Sequence, residues 1–259
     1  MSFEERFKGA NVFDAGRLSP YWGEHAARYH FALPFVAGKR VLDIACGTGY
    51  GLALLAETAG MVVGVDVDAE AALAAKKECG RNTQVLLGDG TGLPFPDESF
   101  DVVTSFETLE HLHNRKGFLS ELRRVLKFDG KLILSTPNAN YTQPVNGKPT
   151  NLFHVFEYNP DELRPELQDF FHLEKFLGQT LDKRFPIPPF QEMQNRLPHD
   201  WATQARLFCW RVMNKFPFAV REKLSDMLWS QPFYPTEKDY NFAENTVAFA
   251  PVLVAVGKK

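Results

Sequence analysis

Apolar runs of five to seven residues recur at 41–45, 61–66, 83–87, 100–106 and 131–135. Runs this short predict buried strands, and the stretches between them carry apolar side chains at helical spacing. A helix is expected over 52–57. A second, over 69–79, is capped by Asp68 and ended by Gly80. A third carries the stripe Phe118, Leu119, Leu122, Val125 and Leu126, before Asp129-Gly130 predicts a turn. Strands alternating with helices imply a mainly parallel sheet with right-handed crossovers, whose ligand sits at the carboxyl ends of the strands.

The flanks read differently. Ser19-Pro20 marks a helix start, Trp22, Ala26, Tyr29, His30 and Leu33 follow at helical spacing, and Pro34 is expected to stop the run. Downstream, 137–151 is a loop rich in Pro, Asn, Gly and Thr, long enough to suggest an active-site role. Asn159-Pro160-Asp161-Glu162 starts a helix, and 171–177 reads as a further strand. Two amphipathic stretches, Trp201/Ala205/Phe208/Val212 and Val220/Leu224/Met227/Leu228, lie beyond turns at Pro186, Pro188 and Pro189.

Composition narrows the classes. At 259 residues the chain can form one large α/β domain, or one domain with a lid. A net charge of −3 leaves no basic surplus to neutralise phosphates, so nucleic acid is not an expected partner. Cys46, Cys79 and Cys209 lie far apart without a C-x-x-C pair, which suggests reduced thiols and a cytoplasmic setting. The first residues lack a signal-peptide core, and no apolar run approaches the roughly 20 residues that span a bilayer. Any membrane contact is expected to be peripheral.

Chemistry enters at the end of the first strand. Asp43-Ile44-Ala45-Cys46 runs into Gly47, Gly49 and Gly51, and Leu52 stands where a dinucleotide fingerprint would need its third glycine. Asp66 closes the second strand and Asp89-Gly90 follows the third. The pieces DIACGTG, VVGVD, GDGTGLPFPDESFDVV and LRRVLKFDGKLILSTP, in that order over 39–137, resemble the class I S-adenosylmethionine (SAM)-dependent methyltransferases. The resemblance implies a Rossmann-like, seven-stranded, mainly parallel α/β sheet with an antiparallel last strand, here expected at 246–256. It divides the chain into an N-terminal cap segment (1–38), a SAM-binding core (39–180), a helical insertion or lid (181–245) and the last strand of the core (246–259). It assigns Asp43, Gly47 and Gly49 to the methionine end of SAM, Asp66 to the ribose, and Asp89 with Gly90 to the adenine. Phe106 and Tyr29 join as pocket residues, while Tyr21 and Tyr29 can equally be packing residues of an amphipathic helix.

A hydroxyl acceptor must lose its proton, which calls for a base or a metal. Glu107, Glu110 and His111 fall at i, i+3 and i+4, on one face if the segment is helical. With His154 they resemble the ligand sets of two metal-using groups, the small-RNA 3′-terminal 2′-O-methyltransferases and the O-methyltransferases of ubiquinone synthesis. The resemblance thus makes Glu107, Glu110, His111 and His154 candidate metal ligands. It leaves a divalent cation (Mg²⁺ or Mn²⁺) open beside SAM, and His111 with Glu107 the candidate catalytic pair. E-H-[LV] after the fourth strand also recurs in class I methyltransferases that use no metal. Over nearly the full length, EHAARY, ACGTGYG, SFETLEHL, STPN and NLFHVFEY are similar to bacterial methyltransferases of surface-polysaccharide clusters. That similarity implies O-methylation of a sugar or glycan hydroxyl. The alternatives are a quinone, a phenol or another small natural product as acceptor, or a non-catalytic SAM-binding partner protein. A homo-oligomer stays open.

Overall fold

The computed structural model describes residues 19–77, 79–189 and 191–259. The first 18 residues of the expected cap segment lie outside them. The described residues divide into two compact units, one of 28–180 with 242–259 and the other of 19–27 with 181–241.

The first unit is an α/β sheet. Its strands are β1 (Arg40–Ile44), β2 (Met61–Asp66), β3 (Thr83–Leu87), β4 (Phe100–Phe106), β5 (Leu126–Pro137), β6 (His172–Leu181), β7 (Tyr240–Ala243) and β8 (Val252–Lys258). They stand in the order β3-β2-β1-β4-β5-β8-β6-β7. β1 to β5 run parallel, and β8 lies antiparallel between β5 and β6. The register sets Asp43 between Gly64 of β2 and Thr104 of β4. Helices α1 (Trp22–Val36), α2 (Tyr50–Ala56), α3 (Ala69–Lys77), α4 (Arg115–Val125) and α5 (Pro160–Gln168) accompany the strands.

The core is the predicted one. Leu42, Val63, Val103 and Leu134 of the central strands pack with Phe118, Leu119 and Leu122 of α4. All are buried, so truncating one of these leucines to alanine would cost about 2–5 kcal/mol. Asn159 caps α5 in a full capping box with Glu162, as the sequence predicts.

Four expectations are corrected. The sheet has eight strands rather than seven, because the four-residue β7 adds an edge too short to announce itself by periodicity. Pro34 does not stop α1 but sits inside its final turn, where it forfeits little of the ladder and the fully buried Val36 holds the end. Asp129-Gly130 is not a turn before the fifth strand. It lies within β5, where Asp129 takes a left-handed φ of 63° close to the register shift against β4. The last strand begins at Val252, since Glu244–Thr246 form a 3₁₀ turn ahead of it.

In the second unit, α6 (Trp201–Met213) is capped by Asp200, which accepts from the Thr203 amide at 2.9 Å. Helix α7 (Phe218–Trp229) follows. Met213, Phe233 and Tyr234 form its small core, with Trp210 stacked on Phe233.

Candidate active site

The strand-to-helix turn after β1 is bent hard. Ala45 and Gly47 both take φ of 57° and Gly49 takes 91°, where a Cβ would also lie 2.8 Å from the Cβ of Ala75. Gly51 is bare for another reason: a Cβ there would come within 1.9 Å of the Tyr29 ring. Tyr29 therefore lies directly over the loop, edge-on to Tyr50 at 5.4 Å and to Phe106 at 4.9 Å. Its hydroxyl donates to Asp43 Oδ2 at 3.1 Å, and the Thr104 hydroxyl donates to Oδ1 at 2.6 Å. Burial pushes the Asp43 carboxyl up to about 7, against the opposing pull of those two hydroxyls. Tyr29, Asp43 and Phe106 thus come together.

Asp66 is tied to the same loop. Its Oδ2 accepts from the Gly47 amide at 2.9 Å and its Oδ1 from the Asp68 amide at 2.9 Å. Asp89 orders the turn after β3 through Thr91, with Gly90 beside it. Cys46 is a small buried side chain whose thiol is raised well above its usual range by burial. Tyr21 is 46% exposed.

The second cluster lies beyond β4, and it differs from the predicted one. No α-helix follows the strand: Glu107 takes a left-handed φ of 51° and only Leu109–His111 coil, as a 3₁₀ turn. The expected i, i+3, i+4 face therefore does not form. Among the described residues, Glu110, His111 and His154 bring one ligand atom each within 4.8 Å of one another. Glu107 stands outside that set, its Oε1 accepting from the Ser135 hydroxyl at 2.7 Å.

His154 is returned across the long loop by backbone pairing, since the Val155 and Phe156 amides both donate to the Glu110 carbonyl at 2.8 and 3.2 Å. The rings are held in one tautomer each. His111 Nδ1 faces the Phe153 carbonyl at 2.9 Å, an acceptor only, so Nδ1 carries the proton. His154 Nδ1 faces the Glu157 carboxylate at 2.5 Å, and its Nε2 accepts from the Asn151 amide at 2.9 Å. Nε2 is then the unprotonated nitrogen of both rings, and in His154 its lone pair is taken by the Asn151 amide, which a bound ligand would have to displace. Glu110 is fully buried; Thr136 donates to its Oε2 at 3.0 Å, while Oε1 has no hydrogen-bond partner and lies 3.8 Å from His111 Nε2. Burial first, and the nearby Glu107 second, push the Glu110 carboxyl well up.

Two imidazole nitrogens and one carboxylate oxygen suit a first-row ion such as Mn²⁺ or Fe²⁺ better than Mg²⁺, which prefers an all-oxygen shell. The Nδ1 partners are the carbonyl and carboxylate expected behind metal-ligating histidines. Glu157 escaped the sequence reading, although an acid three residues after His154 was there to be seen. Burial acts to raise its carboxyl, but hydrogen bonds from His154 and Thr142 outweigh that and leave it below the usual range. It also lines a cavity of about 480 Å³ with Asn140, Gln143, Phe156, Asn159 and Glu162.

Comparison with known proteins finds relatives for the sheet unit. A family model described as a methyltransferase domain matches 42–134, from β1 through β5. The chain is similar to a Mycobacterium tuberculosis protein named a probable S-adenosylmethionine-dependent methyltransferase, 39% identical over 153 residues, covering 59% of this chain and 56% of that protein. It is also similar to demethylmenaquinone methyltransferase of Tropheryma whipplei, 38% identical over 104 residues, covering 39% of this chain and 43% of that protein. The chain therefore spans about half the length of these curated relatives. In fold, an S-adenosylmethionine-dependent methyltransferase from Mesorhizobium loti superposes with a TM-score of 0.54 at 16% identity, covering 93% of this chain and 99% of that one. The matched residues include the loop of Gly47 and Gly49, the strand ends at Asp43 and Asp66, and the turn at Asp89.

Proposed function

We propose that the protein is a SAM-dependent O-methyltransferase whose acceptor is a sugar or glycan hydroxyl. The observation that carries this reading is the convergence, beyond β4, of one possible ligand atom each from Glu110, His111 and His154, with the buried Oε1 of Glu110 lacking a hydrogen bond. An alkyl hydroxyl is a very weak acid, and this cluster supplies what its activation needs. Support for a polyhydroxylated acceptor comes from the cavity beside Glu157, where the side-chain amides of Asn140, Gln143 and Asn159 and the carboxylate of Glu162 share the lining with apolar residues.

In this reading SAM lies over Gly47 and Gly49. Asp43 answers its ammonium group, Asp66 its ribose and Asp89 its adenine, while Tyr29 and Phe106 close over it. Methyl transfer is an in-line displacement, so alignment supplies much of the rate. His111 accepts the hydroxyl proton at Nε2, its ring fixed by the Phe153 carbonyl. Glu110, His111 and His154 would also hold a divalent cation, which when bound supplies Lewis-acid polarisation of the acceptor oxygen.

A second reading takes a quinone or phenol as acceptor, and the match to demethylmenaquinone methyltransferase favours it. Transfer of label from methyl-labelled SAM to a panel of sugars and to a reduced quinone separates the two. Label on a sugar hydroxyl supports the first, and label on the quinone alone replaces it with the second.

A further inference from the structure

We propose that the helical unit of 181–241 docks on an anionic phospholipid surface through the outward face of α6. On α6 the 3.6-residue period sets Trp201, Ala205, Phe208, Cys209 and Val212 on one side. All five are exposed, Trp201 at 85% and Phe208 at 68%. The other side of α6 is already committed. Leu207 and Met213 are buried, and Trp210 stacks on Phe233 with centroids 5.5 Å apart and planes at 9°. The outward stripe is therefore surplus to the packing of its own unit. Helix α7 is less one-sided: Val220, Met227 and Leu228 are exposed, but Leu224 on the same stripe packs on the unit's own core. An exposed apolar stripe like that of α6 marks an interaction site.

Charge selects the occupant. Arg206 and Arg211 fall on either edge of the α6 stripe, the helix contains no acid, and Lys215 follows it. Residues 201–229 carry five basic side chains against two acidic ones, in a chain of net charge −3. A second copy would set these like-charged rims against each other. A bilayer with anionic headgroups answers both features: the apolar stripe enters the acyl boundary, the arginines meet phosphates, and tryptophan suits the interface. No described helix is long and apolar enough to cross a membrane, so the contact is with its surface. The proposal is independent of which acceptor is methylated.

Sedimentation of the full chain with phosphatidylcholine vesicles, with and without phosphatidylglycerol, tests it. The chain should pellet with the anionic vesicles and be released by raised salt. Trp201→Glu and Phe208→Glu should each abolish pelleting while calorimetry shows SAM binding unchanged, which confirms the fold. Arg206→Gln and Arg211→Gln should each weaken partitioning about fivefold, or ~1 kcal/mol per basic residue near the surface. Failure of the wild-type chain to bind phosphatidylglycerol vesicles would overturn the proposal, as would equal binding to neutral ones. A dimer in light scattering that Phe208→Glu splits, without vesicle binding, would assign the face to a second copy instead.

Discussion

The carboxyl edge of the sheet holds two clusters built by different means. Around β1 and β2, Asp43 accepts from Tyr29 of α1 and Thr104 of β4, and Asp66 from the Gly47 and Asp68 amides, so every oxygen of the two carboxylates has a donor. Beyond β4, Glu110 and His111 meet His154 only because the chain returns after α4 and β5, through the loop that follows Pro137, and one buried carboxylate oxygen is left without a hydrogen bond. The first cluster is closed on itself, with both carboxylates bonded at each oxygen. The second keeps unspent acceptor capacity, which is what proton or cation handling requires.

Separate damage to each cluster should expose that division. His111→Ala is expected to lower turnover by about 10²–10⁴, the range for a lost general base, while SAM affinity in calorimetry stays within error. A matching loss of SAM affinity would merge the two clusters into one. On the other side, Asp66→Ala should weaken SAM binding by roughly 1.5–3 kcal/mol, the range for hydrogen bonds to a charged group, since it also releases the Gly47 amide. Glu157→Gln keeps shape but loses the charge behind His154 Nδ1. Turnover should fall about 10–100-fold, and the pH profile should shift, a change a purely structural role would not produce.

The smallest effect is a pH dependence confined to the first cluster. The Asp43 carboxyl is raised to about 7, above its unfolded value, so its contribution to stability is present in acid and is lost as pH rises toward 7. A cationic ligand reverses that preference. SAM affinity should therefore climb up to tenfold per pH unit below about 7 and level off above it, and Asp43→Asn should flatten the curve. A flat curve in the wild-type chain would detach Asp43 from the ammonium group.

The contrast also explains what could be read in advance. The first cluster was legible because each part is local: an apolar strand, alternate glycines, a carboxylate at each strand end. Only the seat of Tyr29 on Gly51 needed coordinates. In the second cluster the residue types were legible but the geometry was not. A helical spacing assigns Glu107 to the same face as Glu110, yet the left-handed turn at Glu107 sends it to Ser135 instead. Ser135, Thr136 and Glu157 complete the cluster from other elements, where no local period points to them. Asp129-Gly130 shows the same limit, a turn signal absorbed as an irregularity within one long strand.

The most direct measurement is made on His154→Ala, with SAM affinity by calorimetry and single-turnover methyl transfer on one preparation, before and after Mn²⁺ is added. SAM affinity should match the wild-type chain, transfer should fall by about a hundredfold or more, and added Mn²⁺ should not restore it. Transfer at the wild-type rate, or a loss of SAM affinity as large as the loss of transfer, would contradict the assignment of binding to the first cluster and acceptor activation to the second.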